Sequence, residues 1–436
     1  MQAHSPARHT DPHAEARTAS WPQRRRAVVA MAVGNMLEWY DFAVYAYLAA
    51  IIGKHFFPSA DENTSLLSTF AAFGIGFVAR PLGGMLIGRF GDKHGRKPAL
   101  LLTVGLMAIG TGLIGVLPTY SAIGIAAPAL LVLARLLQGF SAGGEWGGSA
   151  SFIVEWAGPR QRGFFGSFHP ASVFAGLLVG SGVTALLNSG LGPETMDSWG
   201  WRIPFLLGAL IGPLGMLARK GVQETPAFQR ADGEPSVLVQ PIILWKLMLH
   251  AFCFAAMQSV VVYIFLSYFP TFIQKYAGLS RSEALWSSTI ATATIALSCL
   301  ASGALSDVIG RKKPMLLSCL AFLLLSYPLL HATLGGAGFG RIVLIQMVVS
   351  VLGGLFLGAM PAALVEMFPT KGRLFGLSTA YNLSSMVFGG FAPFIATWLI
   401  GWTGSPMSLA FFVIASALIS TPAVAMLRET AHDRLQ

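Results

Sequence analysis

Gly88-Arg-Phe-Gly-Asp92-Lys-His-Gly95-Arg96-Lys97 and, 215 residues later (307 − 92), Gly303-Ala-Leu-Ser-Asp307-Val-Ile-Gly310-Arg311-Lys312 carry Gly, Asp, Gly, Arg and Lys at matching positions. A second landmark repeats at nearly the same offset: Glu155 and Arg162, seven apart, recur as Glu366 and Arg373, 211 residues on (366 − 155). Two landmarks sharing nearly one offset imply an internal duplication. Apolar runs flank both copies. A bilayer core of about 30 Å takes about 20 apolar residues per helix. Twelve such runs are predicted, at about 27–52, 64–88, 99–118, 123–150, 164–188, 200–218, 242–270, 284–305, 315–331, 341–365, 374–401 and 406–427. The fold class expected is all-α: an integral membrane protein of two six-helix halves.

Composition agrees. Of 436 residues, 54% are hydrophobic and only 11% charged, against about 25% charged in soluble domains. Mean hydropathy is +0.64. These values exclude a soluble enzyme, a disordered chain and a disulfide scaffold. Cys253, Cys299 and Cys319 lie inside apolar runs without metal-ligand spacing and read as small buried hydrophobes. No metal site, cofactor or nucleic-acid partner is expected, although the net charge is +10. That charge bears instead on topology. All but seven of the 29 basic residues fall at the N-terminus, the even-numbered connections and the C-terminus. The exceptions are Lys54, Arg202, Lys275, Arg281 and Arg341 on the opposite side, and Arg80 and Arg135 within spans. Basic residues favour the cytoplasm, so both termini are expected inside. The domain plan is a disordered tail (1–23), a first half (24–218), a cytoplasmic linker (219–241), a second half (242–428) and a short tail (429–436). Arg24, Arg25 and Arg26 abut a run too long for a signal-peptide core, which reads as an uncleaved first helix.

The duplicated G-x-x-x-D-x-x-G-R-K stretch, read as a loop between helices in each half, resembles the signature of the major facilitator superfamily. More narrowly, Gly34-Asn-Met-Leu-Glu-Trp-Tyr-Asp-Phe42, Arg80-Pro-Leu-Gly-Gly84, Gln138-Gly-Phe-Ser-Ala-Gly-Gly-Glu145, Trp199-Gly-Trp-Arg-Ile-Pro-Phe205 and Gln223-Glu-Thr-Pro-Ala-Phe228 are similar to its metabolite:proton symporter family. The resemblance implies transport of organic acids such as citrate, 2-oxoglutarate or shikimate, or of zwitterions such as proline and betaine. It also implies that Gly88, Asp92, Gly95, Arg96 and Lys97, with Asp307, Gly310, Arg311 and Lys312, latch the two halves on the cytoplasmic side. Charge-assisted bonds and an aspartate near a helix N-terminus suit a contact made in one arrangement and broken in the other.

Ionisable residues inside the membrane are costly and usually functional. Glu38 and Asp41 lie three apart near the middle of the first span and share a face with Asn35 and Tyr45; a carboxyl there can carry a proton, or can serve as a structural hydrogen-bonded acid. Arg135, with Gln138 one turn on, lies in the fourth span, and Arg80 lies in the second near its cytoplasmic end. A guanidinium cannot shed its charge and matches a carboxylate through two parallel bonds. Arg135, together with Arg80, is therefore expected to bind substrate carboxylates, and to pair with Asp41 or Glu145 when the site is empty. Glu145 reads either as a coupling acid or as the partner of Arg80. Gly139, Gly143 and Gly147 form a small-residue stripe for close helix approach. His169 suits proton handling or a polar lining. In the second half, Gln258, Tyr263, Tyr268, Gln346, Tyr381 and especially Asn382 are expected to shape the far wall. The function expected is proton-coupled import of a small organic anion by a monomeric transporter of the bacterial inner membrane. Alternatives are a zwitterion importer and, more remotely, an efflux antiporter.

Overall fold

The computed structural model describes residues 21–232, 241–336, 338–431, 433 and 435. The expected tail over 1–23 lies almost wholly outside these residues, as do 233–240 of the linker. Six long helices precede that gap: α1 (Trp21–Tyr47), α2 (Glu62–His94), α3 (Arg96–Val116), α4 (Ala126–Trp156), α5 (Arg162–Thr195) and α6 (Arg202–Lys220). Six follow. α7 runs from Pro241 to Ala277 through a π-helical turn at Tyr263–Tyr268. Then come α8 (Arg281–Ile309), α9 (Lys312–Leu334) and α10 (Phe339–Met367). α11 runs from Arg373 to Thr403 with a second π-helical turn at Ser385–Gly390, and α12 is Ser408–Ala425.

Eleven of these are long and apolar enough to cross a membrane. α1 is the twelfth; its buried Asn35, Glu38 and Asp41 lower its hydropathy. The chain is a multi-pass membrane protein.

Lipid tails give apolar helices no hydrophobic reason to associate, so close contact must come from small residues and polar bonds. The Gly139–Gly143–Gly147 stripe shows how. A Cβ at Gly139 would stand 1.9 Å from the Gly76 carbonyl oxygen of α2, and one at Gly143 would stand 2.1 Å from that of Arg80. At Gly147 it would meet Ser378 Oγ of α11 at 2.1 Å. The same stripe thus packs α4 on α2 within the first half and on α11 across the seam.

Three expectations need correction. The duplicated motif is not a loop. Gly88–His94 are the last turns of α2, Gly95 alone breaks the helix at φ 108°, and α3 starts at Arg96. Gly310, at φ 96°, does the same between α8 and α9. Positive φ at one glycine is enough to turn the chain. Because α2 extends to His94, Arg80 lies near its middle and not near its cytoplasmic end. Arg219, placed in the linker from sequence, is the buried last turn of α6, and the linker itself contains a short helix, Pro226–Asp232.

Candidate functional site

The polar stripe on α1 is buried: Asn35, Glu38, Asp41 and Tyr45 are each 5% exposed or less. Its members diverge in partner. Asn35 Nδ2 donates to the His169 carbonyl and to Ser172 Oγ, both at 2.9 Å, tying α1 to α5. Asp41 Oδ2 accepts from Gln138 Nε2 at 2.6 Å and from Arg135 Nη1 at 3.4 Å. Gln138 closes the triangle, its Oε1 accepting from Arg135 Nη1 at 2.8 Å and its Nε2 reaching Thr111 Oγ1 at 3.0 Å. Tyr45, Phe73 and Phe42 surround the Arg135 guanidinium, 4.3, 4.9 and 5.1 Å from ring centre to Cζ. The Tyr45 hydroxyl donates to the Thr69 carbonyl at 3.1 Å.

Arg80 is placed differently. Among the described residues the acid it pairs with is Glu38, at 3.5 Å. Phe77, Phe42 and Trp39 stand 4.5, 4.9 and 5.9 Å away, and Nε makes no hydrogen bond. Phe77 meets Tyr263 of α7 edge-on at 5.3 Å, so this arginine sits at the seam between the halves. Both guanidinium groups approach the Phe42 ring, Arg80 at 4.9 Å and Arg135 at 5.1 Å. Trp146 stacks on Tyr381 across the seam at 3.8 Å, with His169 edge-on behind it at 5.0 Å. Asn382 is a seam residue too, its Nδ2 donating to the Gly143 carbonyl at 2.7 Å. Tyr268 is elsewhere, meeting Thr397 Oγ1 at 3.4 Å in an exposed position. Glu145, expected either to be a coupling acid or to pair with Arg80, pairs with Arg219 instead.

The end of the bundle that carries the repeated motifs is closed by two pseudo-symmetric clamps. Asp92 accepts from the Leu374 and Phe375 amides at the start of α11, at 3.1 and 2.9 Å. Asp307 accepts from the Gly163 and Phe164 amides at the start of α5, both at 2.8 Å. Each aspartate is also held by the arginine four residues on, Arg96 at 3.1 Å and Arg311 at 2.7 Å. Gly88 makes room for α11, since a Cβ there would lie 2.8 Å from Phe375 Cα. The second landmark pair crosses the seam as well. Glu155 takes Arg373 of the other half at 2.7 Å and Arg96 of its own at 3.4 Å; Glu366 takes Arg162 at 3.4 Å and Arg311 at 3.2 Å. Lys97 does not cross: its Nζ reaches the Lys220 carbonyl at 2.7 Å, inside the first half.

A third repeated element escaped the sequence reading. Glu224-Thr225 after α6 recurs as Glu429-Thr430 after α12, 205 residues on (429 − 224). Glu224 accepts from the Lys97 amide at 3.0 Å, and Glu429 from the Arg311 and Lys312 amides at 2.8 and 3.1 Å. Thr225 donates to Glu155, and Thr430 to Glu366 at 2.7 Å. The signal was a Glu-Thr pair following the last helix of each half, visible only once the halves are aligned.

Twelve spans in two linked sets, clamped at one end and holding buried charges at mid-depth, define a secondary transporter rather than an enzyme. The chain matches the Major Facilitator Superfamily model over residues 31–349 and 251–435; it belongs to that superfamily, within its metabolite:proton symporter family. It is 35% identical to a citrate-proton symporter of Klebsiella pneumoniae over 94% of this chain and 93% of that one. It is 33% identical to a proline/betaine transporter of Escherichia coli, over 94% and 85%. Among solved structures, the proton:xylose symporter XylE bound to 6-bromo-6-deoxy-D-glucose aligns with a TM-score of 0.82 at 17% identity, covering 94% of this chain and 97% of that one. The human organic anion transporter TETRAN aligns with a TM-score of 0.65 at 16% identity, covering 92% and 100%.

Proposed function

We propose that the chain imports a small carboxylate-bearing solute together with protons, by alternating access, across a bacterial inner membrane. The motif-bearing end faces the cytoplasm in this reading, and the proton gradient drives transport without a cofactor. One observation carries it: Arg80 stands at the seam with Glu38 at 3.5 Å and an unbonded Nε. A substrate carboxylate can displace Glu38 and take both edges of that guanidinium. Neutralising Glu38 with a proton frees the arginine at the moment the substrate arrives, which couples the two flows. Arg135 is the less available of the two arginines. Its Nη1 is committed to Asp41 and Gln138, and three aromatic rings enclose it, so the Asp41–Gln138–Arg135 triangle serves proton coupling rather than substrate contact. The second half contributes the Tyr263 and Tyr381 walls.

A zwitterion is the second reading, favoured by the aromatic surfaces at the seam. Trp39, Phe42 and Phe77 crowd one guanidinium, and aromatic faces also hold alkylammonium groups. The relatives named as citrate and proline/betaine transporters are compatible with one reading each. The test is uptake into proteoliposomes under an inward proton gradient, with labelled citrate, 2-oxoglutarate, shikimate, proline and betaine. Accumulation of a di- or tricarboxylate supports the anion reading. Accumulation of betaine or proline alone moves the assignment to the zwitterion.

A further inference from the structure

Glu145 and Arg219 form a buried ion pair that neither the seam nor the clamps require. Glu145 is 3% exposed in the body of α4 and Arg219 1% exposed in the last turn of α6. Arg219 donates through Nη2 to Glu145 Oε1 and through Nη1 to Glu145 Oε2 at 3.0 Å and to the Leu100 carbonyl at 2.8 Å. Thr103 Oγ1 donates to the same carboxylate at 2.5 Å. Gly34 of α1 leaves the space for the guanidinium; a Cβ there would stand 1.9 Å from it. The duplication does not account for this pair. The position that matches Arg219 by the Glu-Thr offset is Val424, and the one that matches Glu145 by the Glu–Arg offset is Phe356. Burying an ion pair is costly, so a pair present in one half alone calls for a use.

Its surroundings supply one. A cavity inside the first half, lined by Glu38, Glu145, Gly34, Thr103, Thr111 and Ser141, has room for a water molecule and polar groups to hold it. Glu38 therefore has two faces. One meets Arg80 at the seam, and the other lines the cavity that Glu145 also lines. Beyond Glu145, Arg219 leads within six residues to Glu224 and Thr225, which hold the start of α3 and the clamp acid Glu155.

We propose that the proton leaves the substrate site through the interior of the first half, passing from Glu38 across this cavity to Glu145. The reading rests on the seam being a proton-coupled site. Glu38 gives up its carboxyl proton through the intervening water, becomes a carboxylate and re-forms its pair with Arg80. Glu145 accepts the proton and loses its charge. Arg219 then keeps only the Leu100 carbonyl, and the last turn of α6 loosens together with its Glu-Thr hold on the cytoplasmic clamp. Release of the proton to the cytoplasm restores the Glu145–Arg219 pair and resets the clamp. The charged groups facing this path are Arg80 and Asp41 beside Glu38, and Arg219 beside Glu145.

The experiment uses the full chain in proteoliposomes, with labelled citrate and labelled betaine as probes. In Glu145→Gln, solute exchange without a gradient persists while gradient-driven accumulation falls about tenfold, the usual size of a coupling between two sites. Because Glu145→Gln strands a buried guanidinium, Glu145→Gln/Arg219→Gln is measured beside it and gives the same split. Wild-type accumulation in either variant overturns the relay, and so does loss of exchange in both, which assigns the pair a structural role. If the wild type accumulates neither solute, the seam reading fails and the relay is read by infrared spectroscopy. The rise of the protonated-carboxyl band when the embedded protein is acidified then loses a separate component in each of Glu38→Gln and Glu145→Gln. A rise that Glu145→Gln leaves intact overturns the relay.

Discussion

Asp92, in the last turn of α2, accepts the backbone amide of Phe375 in the other half at 2.9 Å, with the Leu374 amide beside it at 3.1 Å. It thereby caps the N-terminus of α11, where unsatisfied amides and the helix dipole favour an anion. The contact exists only while the two halves meet at this end, so its energy biases the conformational equilibrium rather than the stability of either half. Asp92→Asn removes the charge and at least one of the two bonds. Charge-assisted bonds contribute about 1.5–3 kcal/mol each, so the closed arrangement should lose about tenfold or more in population. A reporter cysteine at Ser378, in a chain whose three native cysteines have been replaced, should react faster with a thiol reagent supplied on the side of the motif-bearing end. An unchanged rate would show that Asp92 caps α11 without governing closure.

The partner clamp can be tested without touching a charge. Gly163 on α5 and Gly303 on α8 meet across the seam so closely that a Cβ on either would stand 2.5 Å from the other's carbonyl oxygen. Gly303→Ala should therefore oppose closure by about 1–3 kcal/mol, the range for overpacking. It should raise that thiol reactivity in the same direction as Asp92→Asn. The sites belong to separate clamps, so their effects should add. A Gly303→Ala protein that stays closed would mean that α5 and α8 can slide apart without opening this end.

The duplicated motif was legible because its glycines and aspartates recur at fixed spacing, and it singles out Asp92 and Asp307, each of which bonds to backbone amides of the other half. What it hides is direction. Glu155 and Arg162 look like one local unit, as do Glu366 and Arg373, yet each glutamate binds the arginine of the other half. Spacing along one chain carries no information about which copy faces which. The same limit applies to Arg219. Beside a polar linker it reads as a loop cation, and only the absence of a side chain at Gly34, 185 positions earlier (219 − 34), lets it fold back onto Glu145. That the charges on α1 face the bundle interior was legible from their place in an apolar run. Their division between Arg80 and Arg135 was not, because it depends on which helix each acid meets.

That division predicts unequal phenotypes. Arg80→Lys keeps the charge but loses the planar fork, so it should weaken substrate binding by about 1–3 kcal/mol, roughly ten- to hundredfold in half-saturation concentration. Asp41→Asn should leave exchange intact and abolish gradient-driven accumulation. Arg135→Lys, in the same triangle, should likewise abolish gradient-driven accumulation and leave exchange intact. Equilibrium binding and proteoliposome uptake, measured on the same preparations, separate these outcomes. If Arg135→Lys rather than Arg80→Lys raised the half-saturation concentration, the substrate arginine would be Arg135.

Helix packing in the first half makes a prediction independent of transport. Gly139 of α4 lies against the backbone of α2, where a Cβ would stand 1.9 Å from the Gly76 carbonyl oxygen and 2.8 Å from its Cα. Neither obstacle is a side chain that could rotate away, so Gly139→Ala must push the two helices apart. The cost extends beyond the one contact. Arg135 and Gln138 ride on the same stretch of α4, and their bonds to Asp41 tolerate little displacement. Gly182 on α5 is the internal control, because a Cβ there meets nothing within 4 Å. In a helix, Gly→Ala at such a site gains about 0.5–1 kcal/mol by restricting the unfolded chain. Thermal unfolding in detergent should therefore move in opposite directions, down by several degrees for Gly139→Ala and level or slightly up for Gly182→Ala. Equal shifts would mean that the α2–α4 contact relaxes freely and that the stripe does not set the helix spacing.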